Sequence, residues 1–332
     1  MHARLGLAVF GLAALATLSP AHADAPAAPA APLLTATTPV AVPGGPGKFD
    51  WMMIDAARHH LLASHPSHKT LVIYDLVKGD VKQIDTDGAI NGEAVDEADN
   101  KLFVGGGNQK VVAFDLTTLD KLGEVALTGP ADAILFNAKN GVLYADHDDG
   151  AEVWMIDPKT LKINGSVAIA DAPEAIEYDP ATDRLYQNIK PSNCVQVINP
   201  ATNKVEATWP TAPMTSPHGI AIDSAGGRIF AAGQGKVDLM DIKTGKVLAT
   251  VDIEPGYVDQ IAFDSSRKRL YCASSAGVIS VVDETADGAT LAGKVTVPKG
   301  THTLAVDQST GDVWISYSDA AGSNLQKWSP AK

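Results

Sequence analysis

One short pattern recurs seven times along the chain and constrains its fold more than any other feature. Two apolar residues at alternate positions precede an Asp or Asn, a turn and an apolar strand, as in the segment IAFDSSRKRLYCA. Successive copies of this first polar marker lie 41, 41, 42, 44, 41 and 43 residues apart. A fixed period of this length is typical of repeat architectures, in which each repeat packs on its neighbours. The seven markers are Asp55, Asp96, Asn137, Asp179, Asp223, Asp264 and Asp307.

A second polar marker ends another strand in each repeat and keeps the same period. Its copies are 40, 42, 42, 42 and 42 residues apart, and Ser329 stands at the matching place of the seventh repeat. Each period has room for four short strands separated by turns rich in Asp, Asn, Gly and Pro. Because a propeller blade is a four-stranded unit of about 40–45 residues, the sequence predicts an all-β fold, a seven-bladed β-propeller of four-stranded blades. The second markers are Asp75, Asp115, Asp157, Asn199, Asp241 and Asp283.

The last repeat ends at Lys332 after three strands, so the ring needs one more strand to close. Residues 33–42 are expected to supply it, because VAVPGGPGKFDWM resembles VTVPKGTHTLAV and aligns Pro43 with Pro298. Pairing the N-terminal strand with the last blade would leave no long unpaired edge. The predicted propeller therefore covers residues 33–332.

The N-terminus has the features of a secretory signal peptide over residues 1–23. Arg4 precedes the apolar run Leu5–Leu18, and Ala21-His22-Ala23 forms an A-x-A cleavage site. The run is too short for a stable transmembrane helix, and residues 24–32 read as an extended Ala/Pro linker. We therefore expect a periplasmic or secreted protein, released by cleavage near Ala23, with no membrane span.

The acidic composition bears on the partners of the chain. A formal net charge of -13 opposes nonspecific binding to nucleic acid or anionic lipid, which both require a positive field. Cys194 and Cys272 fall in non-adjacent blades of the predicted ring, so no disulfide is expected between them. The partners that remain are a small polar ligand, a cation or another protein.

Two strand-turn-strand segments carry a resemblance to a known family. The segments VQVINPATNKVEATW and VDLMDIKTGKVLATV, with RLYQN upstream of the first, resemble the YVTN repeats of YncE-like β-propellers. The resemblance covers residues 33–332 and implies the propeller fold. Some relatives bind single-stranded DNA, which the charge opposes here. More distant propellers include lactonases and electron-transfer or haem-carrying domains, but the chain contains no CxxCH haem-attachment motif.

Overlaying the repeats identifies a set of polar residues at one end of the predicted central channel. The position five residues before each first marker starts the innermost strand of its blade and is polar in all seven repeats. We call these residues the channel mouth, and we interpret them as a pocket for a cation or a polar ligand, with Trp51 beside them. The alternative is that they are polar because they meet water or cap turns. The channel mouth consists of Asp50, Asn91, Asp132, Glu174, His218, Asp259 and His302.

Several of these side chains suit a divalent metal, since imidazole and carboxylate groups are common metal ligands. The candidate ligands at the channel mouth are His218, His302, Glu174 and Asp259. Loops expected on the same face contribute weaker candidates, for which a solvated loop is the alternative interpretation. These are His65 and His68 in SHPSHK, and His147 in ADHDDG.

Glu93 departs from the repeat pattern. Its equivalents in the other six blades are apolar, and an ionised carboxylate in a core position costs several kcal/mol unless it is paired or protonated. We expect it either to reach into the channel near His218 or His302, or to contact a buried water. The apolar equivalents are Met52, Ile134, Ile176, Ile220, Ile261 and Leu304.

Three functions fit these features. The first is an exported binding or interaction protein that takes a polar ligand at the channel mouth. The second is a metal-assisted hydrolase, similar to a lactonase, with Glu174 or Asp259 as the base. The third is a scaffold that contacts partner proteins through its blade edges. No GxSxG, HExxH or Walker motif is present, so the sequence assigns no catalytic residue and leaves an enzyme open.

Overall fold

The computed structural model describes residues 1–2 and 32–331. Nearly all of the predicted signal peptide and linker therefore lies outside the described residues, and those two segments stay predictions. Within the described residues, no helix is long and apolar enough to cross a membrane.

Seven antiparallel sheets make up the described structure, which confirms the all-β, seven-bladed propeller. Within a blade the strands follow one another from the channel to the rim. Blade 1 contains β3 (Met52–Asp55), β4 (His60–His65), β5 (Thr70–Asp75) and β6 (Val81–Asp85), with a 3-10 turn at Pro66–His68; β1 and β2 precede it in the chain at Leu34–Ala36 and Val40–Val42. Blade 2 contains β7 (Gly92–Asp96), β8 (Lys101–Gly105), β9 (Lys110–Asp115) and β10 (Lys121–Ala126). Blade 3 contains β11 (Ile134–Asn137), β12 (Val142–Asp146), β13 (Glu152–Asp157) and β14 (Lys162–Ala168).

The remaining blades repeat this plan. Blade 4 contains β15 (Pro173–Asp179), β16 (Arg184–Ile189), β17 (Cys194–Asn199) and β18 (Lys204–Pro210). Blade 5 contains β19 (Ile220–Asp223), β20 (Arg228–Gly233), β21 (Lys236–Asp241) and β22 (Val247–Asp252). Blade 6 contains β23 (Ile261–Asp264), β24 (Arg269–Ser274), β25 (Val278–Thr285) and β26 (Gly288–Thr296). Blade 7 contains β27 (Leu304–Val306), β28 (Val313–Asp319) and β29 (Gly322–Pro330).

The N-terminal strands close the ring, as the sequence predicts. Both β1 and β2 pair antiparallel with β29, and the register places Leu34 opposite Pro330 and Val42 opposite Ser323. Leu34 packs into the core between blades 6 and 7, whereas Val42 packs into the core between blades 7 and 1. The closing strands thus contribute to two blade interfaces as well as to the edge of one sheet.

Alternation along the innermost strands fills the interfaces between blades. The residue three positions before the first marker packs toward the preceding blade: Ile134 contacts the cluster of blades 2 and 3, and Ile176 that of blades 3 and 4. Its neighbour in the chain points the other way, since successive strand residues face opposite sides of a sheet. Ala221 of blade 5 therefore joins the cluster that it shares with blade 6.

The repeated Asp markers serve the turns, as expected for residues present in nearly every blade. The carboxylate of Asp75 accepts hydrogen bonds from the backbone N–H groups of Val77 and Lys78, at 2.9 and 2.8 Å. Such side-chain to backbone bonds fix tight turns. Cys194 and Cys272 are both buried and free, and they lie in blades 4 and 6.

We predict that deleting residues 33–42 will lower Tm by about 10 °C or more, or prevent folding, because β29 would lose its partner strands and two cores would lose Leu34 and Val42. Thermal unfolding followed by circular dichroism measures the effect. Deletion of residues 24–32 alone is the matched control and should leave Tm unchanged. An equal Tm for both deletions would contradict the proposed role of the closing strands.

Candidate functional site

The seven residues of the channel mouth lie within two positions of the start of the innermost strands. The ring structure brings some of them into one group and separates others. One potential metal-ligating atom from each of Asp50, Asp259 and His302 lies within 4.8 Å of the other two, although these residues come from blades 1, 6 and 7. The backbone N–H of Asp259 also donates to the carbonyl of His302 at 3.2 Å. In the part of the chain that the structure describes, no other set of three such donors meets this condition.

Three carboxyl groups of the mouth, those of Asp50, Asp132 and Asp259, resist ionisation. Burial, followed by the charge of nearby Asp50, raises the pKa of Asp132 to about 6. Burial and then the charges of Asp50 and Asp132 raise the pKa of Asp259 well above its usual range. For Asp50 itself, burial raises the pKa more than the ion pair with Lys48 lowers it. These carboxyl groups would gain from any cation that offsets their repulsion and their lost hydration.

Lys48 is a functional candidate that the repeat register missed. Its ammonium Nζ lies 2.5 Å from Oδ1 of Asp50. Burial would lower the pKa of Lys48, but the charges of Asp50, Asp259 and Asp132 raise it overall. The sequence feature that could have identified Lys48 was its position two residues before Asp50, on the same loop. The mouth therefore already accommodates one ammonium group beside its carboxylates.

The remaining mouth residues form two smaller groups. Asn91 donates from Nδ2 to Oδ1 of Asp132 at 3.0 Å. Glu174 is paired with the ammonium of Lys190, and Nε2 of His218 lies 3.9 Å from the same carboxylate. The four predicted metal ligands thus do not form one set of donors: His302 and Asp259 group with Asp50, whereas His218 and Glu174 lie together elsewhere on the ring.

The two mouth histidines are held by backbone carbonyl groups. Nδ1 of His218 lies 2.7 Å from the carbonyl of Ser216. In His302 both ring nitrogens face carbonyls, with Nδ1 2.6 Å from Gly300 and Nε2 3.1 Å from Phe49. A neutral imidazole can donate only one of these bonds, and burial lowers the pKa of His302. A metal bound by His302 would therefore have to displace one carbonyl from the ring nitrogen that it uses.

Tyr257 is a second residue that the sequence analysis missed. Its hydroxyl donates to Oδ1 of Asp259 at 3.0 Å, and its ring lies between His218 and His302, with centroid distances of 5.1 and 5.6 Å. It remains 42% exposed. Cavities of about 520 and 350 Å³ flank it, one beside His218 and the other beside His302 and Lys48. The loop EPGYVD, with an aromatic residue after Pro-Gly, was its only signal.

Trp51 forms the floor of the mouth. Although it belongs to blade 1, its side chain packs against the cluster of blades 4 and 5, which contains Ile220. In a ring of seven, the junction of blades 4 and 5 lies opposite blade 1, so the indole crosses the channel. Gln260 adds to this floor, because its amide exchanges hydrogen bonds with the backbone of Met52, at 3.1 and 2.7 Å.

Glu93 does not reach the mouth histidines. It is 2% exposed, and both of its carboxyl oxygens are buried without a hydrogen-bond partner among the described residues. Burial, followed by the charge of Asp50, raises its pKa well above the usual range. By the alternation of its strand, the side chain faces blade 1. The structure therefore places Glu93 in a blade interface, where the raised pKa favours the protonated acid, and gives it no hydrogen bond to His218 or His302.

The outer histidines do not join the mouth. His65 was expected in a loop, but it ends β4, is 0% exposed, and stacks on Phe49 with ring centroids 4.2 Å apart. Burial, followed by the charge of His68, lowers its pKa to about 4. His68 lies beside it, with centroids 4.4 Å apart. His147 instead stacks on Trp154 at 4.5 Å. The described residues give these histidines no third metal donor.

Comparison with known proteins supports the fold and nothing narrower. No family model and no curated protein matches the chain. A chain in the crystal structure of a mitotic checkpoint complex superposes with a TM-score of 0.78 at 15% identity, covering 97% of this chain and 100% of that chain. At this level of identity the similarity establishes the propeller architecture alone.

We predict that Asp132→Asn will stabilise the protein at about pH 8 by roughly 1–3 kcal/mol and have little effect near pH 4. The folded pKa of about 6 exceeds the ordinary 3.8, so the penalty is absent while the carboxyl is protonated in both states, grows between the two pKa values, and is complete above about pH 6. Urea unfolding at both pH values measures it. The exposed Asp80→Asn is the control, and an equal gain at both pH values would contradict the electrostatic cause.

We predict that Glu93→Ile will raise the free energy of unfolding by about 1–3 kcal/mol, because four other blades carry Ile at this position and the buried carboxyl has no partner. Urea unfolding checks this, with Glu93→Gln as the control that keeps a polar group and should not stabilise. A large loss of stability in Glu93→Ile would mean that the carboxyl is bonded to a buried group.

Proposed function

We propose that this protein is an exported binding protein of the YVTN-repeat type, which holds a small cation at its channel mouth. The observation that carries the proposal is the gathering of Asp50, Asp132 and Asp259 around one opening, where burial and mutual repulsion raise their pKa values. A bound cation would offset both penalties and release protons as it binds. The site therefore favours cations, because a bound cation would stabilise the ionised form of these three carboxyl groups.

The wider chain supports this role. The N-terminal sequence has the charge, apolar run and cleavage site of an exported protein. The net charge of -13 attracts cations over distance. The blade segments resemble YVTN repeats, and the seven-bladed fold agrees with that resemblance.

Two kinds of cation share the chemistry that this site recognises. A divalent metal could use the carboxylates of Asp50 and Asp259, with His302 as a third ligand. An organic ammonium ion would need no ring nitrogen, and the side chain of Lys48 shows that an ammonium fits beside Asp50. The flanking cavities at Tyr257 would receive the rest of an organic ligand.

Metal-assisted hydrolysis receives less support from this geometry. Of the two expected bases, Glu174 is paired with Lys190, and Asp259 accepts the hydroxyl of Tyr257. Each candidate base is therefore engaged by another side chain of the protein, and a reaction would first have to release it.

Protein binding is the second candidate function. The matching propeller chain comes from a multiprotein checkpoint complex, and several apolar residues are exposed on the outer strands here. Leu122, Ile163, Leu248 and Leu291 lie on four different blades. Apolar residues scattered singly are common on protein surfaces and do not by themselves mark an interface. The channel mouth is therefore the better-supported site.

We predict that chelator-treated protein will bind Ca²⁺, Zn²⁺ or 1,4-diaminobutane in isothermal titration, and that Asp50→Asn with Asp259→Asn will weaken this binding at least about tenfold, or 1.4 kcal/mol. Binding should also weaken on acidification from about pH 7.5 to 5.5, because protons compete for the carboxyl groups. Uncharged 1,4-butanediol is the control for the diamine. Absence of binding by all three cations would overturn the proposal.

A further inference from the structure

A third cavity lies below Trp51, on the other side of the floor of the channel mouth. It has a volume of about 350 Å³ and is lined by inner-strand residues of blades 1, 4, 5, 6 and 7. Its far end is formed by Asp179, Ser224 and Gln308, which lie at turns that follow the innermost strands. The cavity, which we call the lower chamber, therefore opens toward the face opposite the mouth.

Small side chains make the room for this chamber. Two positions before the first marker, blades 5, 6 and 7 carry Ala221, Ala262 and Ala305, which all line it. At the same position blade 1 carries Met53, which also lines the chamber. Blade 4 differs from the other blades, because Glu177 stands there.

Glu177 is a half-buried polar group of the chamber that the protein itself leaves without a strong partner. Among the described residues no salt bridge or side-chain hydrogen bond involves its carboxyl. Loss of hydration raises its pKa to about 7, and a hydrogen bond from the Tyr178 backbone lowers it by less. In the described strands of the other blades the equivalent residue is Ala, Leu or Met. The blade architecture therefore does not require an acid at this position.

The other polar side chains of the chamber are already engaged. Gln260 bonds the backbone of Met52, and Gln308 donates to the carbonyl of Phe263 at 2.7 Å. Ser224 donates to Asp179, which caps its own turn. A ligand in the lower chamber would therefore meet apolar surface and one available carboxylate.

We propose that the lower chamber binds a small organic amine, whose ammonium pairs with Glu177 and whose apolar part packs on Trp51, Met53 and Ile222. Ligand sites typically combine an apolar cavity of about 300–1,000 Å³ with a few polar groups that fix orientation, and this chamber is at the small end of that range. A charged pair formed away from water is stronger than one on the surface. The site is separate from the channel mouth and does not depend on its ligand.

The test compares 2-phenylethylamine with 2-phenylethanol, which has the same shape without the charge, in isothermal titration. The wild-type protein should bind the amine at least about tenfold more tightly than the alcohol. Glu177→Gln keeps the size of the side chain and should abolish this preference. The variant Asp50→Asn with Asp259→Asn should keep it, which separates the lower chamber from the mouth.

Ala262→Leu provides an independent test, because the larger side chain fills the chamber and should abolish binding of both compounds. Tryptophan fluorescence adds a local readout, since a ligand against the indole should change the signal of the wild type and not that of Trp51→Phe. Circular dichroism checks the fold of each variant. No binding of the amine, or an unchanged preference in Glu177→Gln, would overturn the proposal.

Discussion

The antiparallel pairing of β1 and β2 with β29 is the constraint on which the rest of the molecule depends. It joins the two ends of the chain in one blade and so turns seven sheets into a closed ring. The channel mouth exists only in that ring: His302 contacts the carbonyl of Phe49 and lies beside Asp50, although about 250 residues separate them in the chain. These contacts span the junction of blades 7 and 1, which the closing strands help to hold through Val42.

Ring symmetry also explains why the mouth is electrostatically strained. Each repeat contributes one polar residue at the same register position, and ring closure brings the carboxyl groups of Asp50, Asp132 and Asp259 near one another. Residues that would be harmless on separate surfaces then lose hydration together and repel one another, as the raised pKa values of Asp132 and Asp259 show. Lys48 and Lys190 offset part of this charge, each from a loop outside the repeat register. The architecture thus gathers acidic side chains at one end of the channel, which is the basis of the proposed cation site.

The repeat period predicted the fold and the closing strand, because these follow from register, and it identified the polar positions near the start of each innermost strand. It could not place side chains from loops that vary between blades, so Lys48 and Tyr257 were missed. Nor could it give side-chain direction: Trp51 was expected at the mouth, but its indole crosses the channel to the far blades. His65 was misplaced for a related reason. The His-rich segment SHPSHK suggested a solvated loop, but β4 extends two residues into it and ends at His65.

Two acids break the repeat on the innermost strands, and their surroundings give them opposite meanings. Glu93 stands three positions before its marker and faces a blade interface, and it lines none of the cavities described above. Glu177 stands two positions before its marker, and the small residues at that level in blades 5, 6 and 7 leave a chamber in front of it. Loss of hydration raises the pKa of both carboxyl groups. Of the two, only Glu177 faces a cavity in which a bound cation could stabilise its ionised form. An exception to the repeat therefore indicates a candidate binding site only where small residues in the neighbouring repeats leave a cavity beside it.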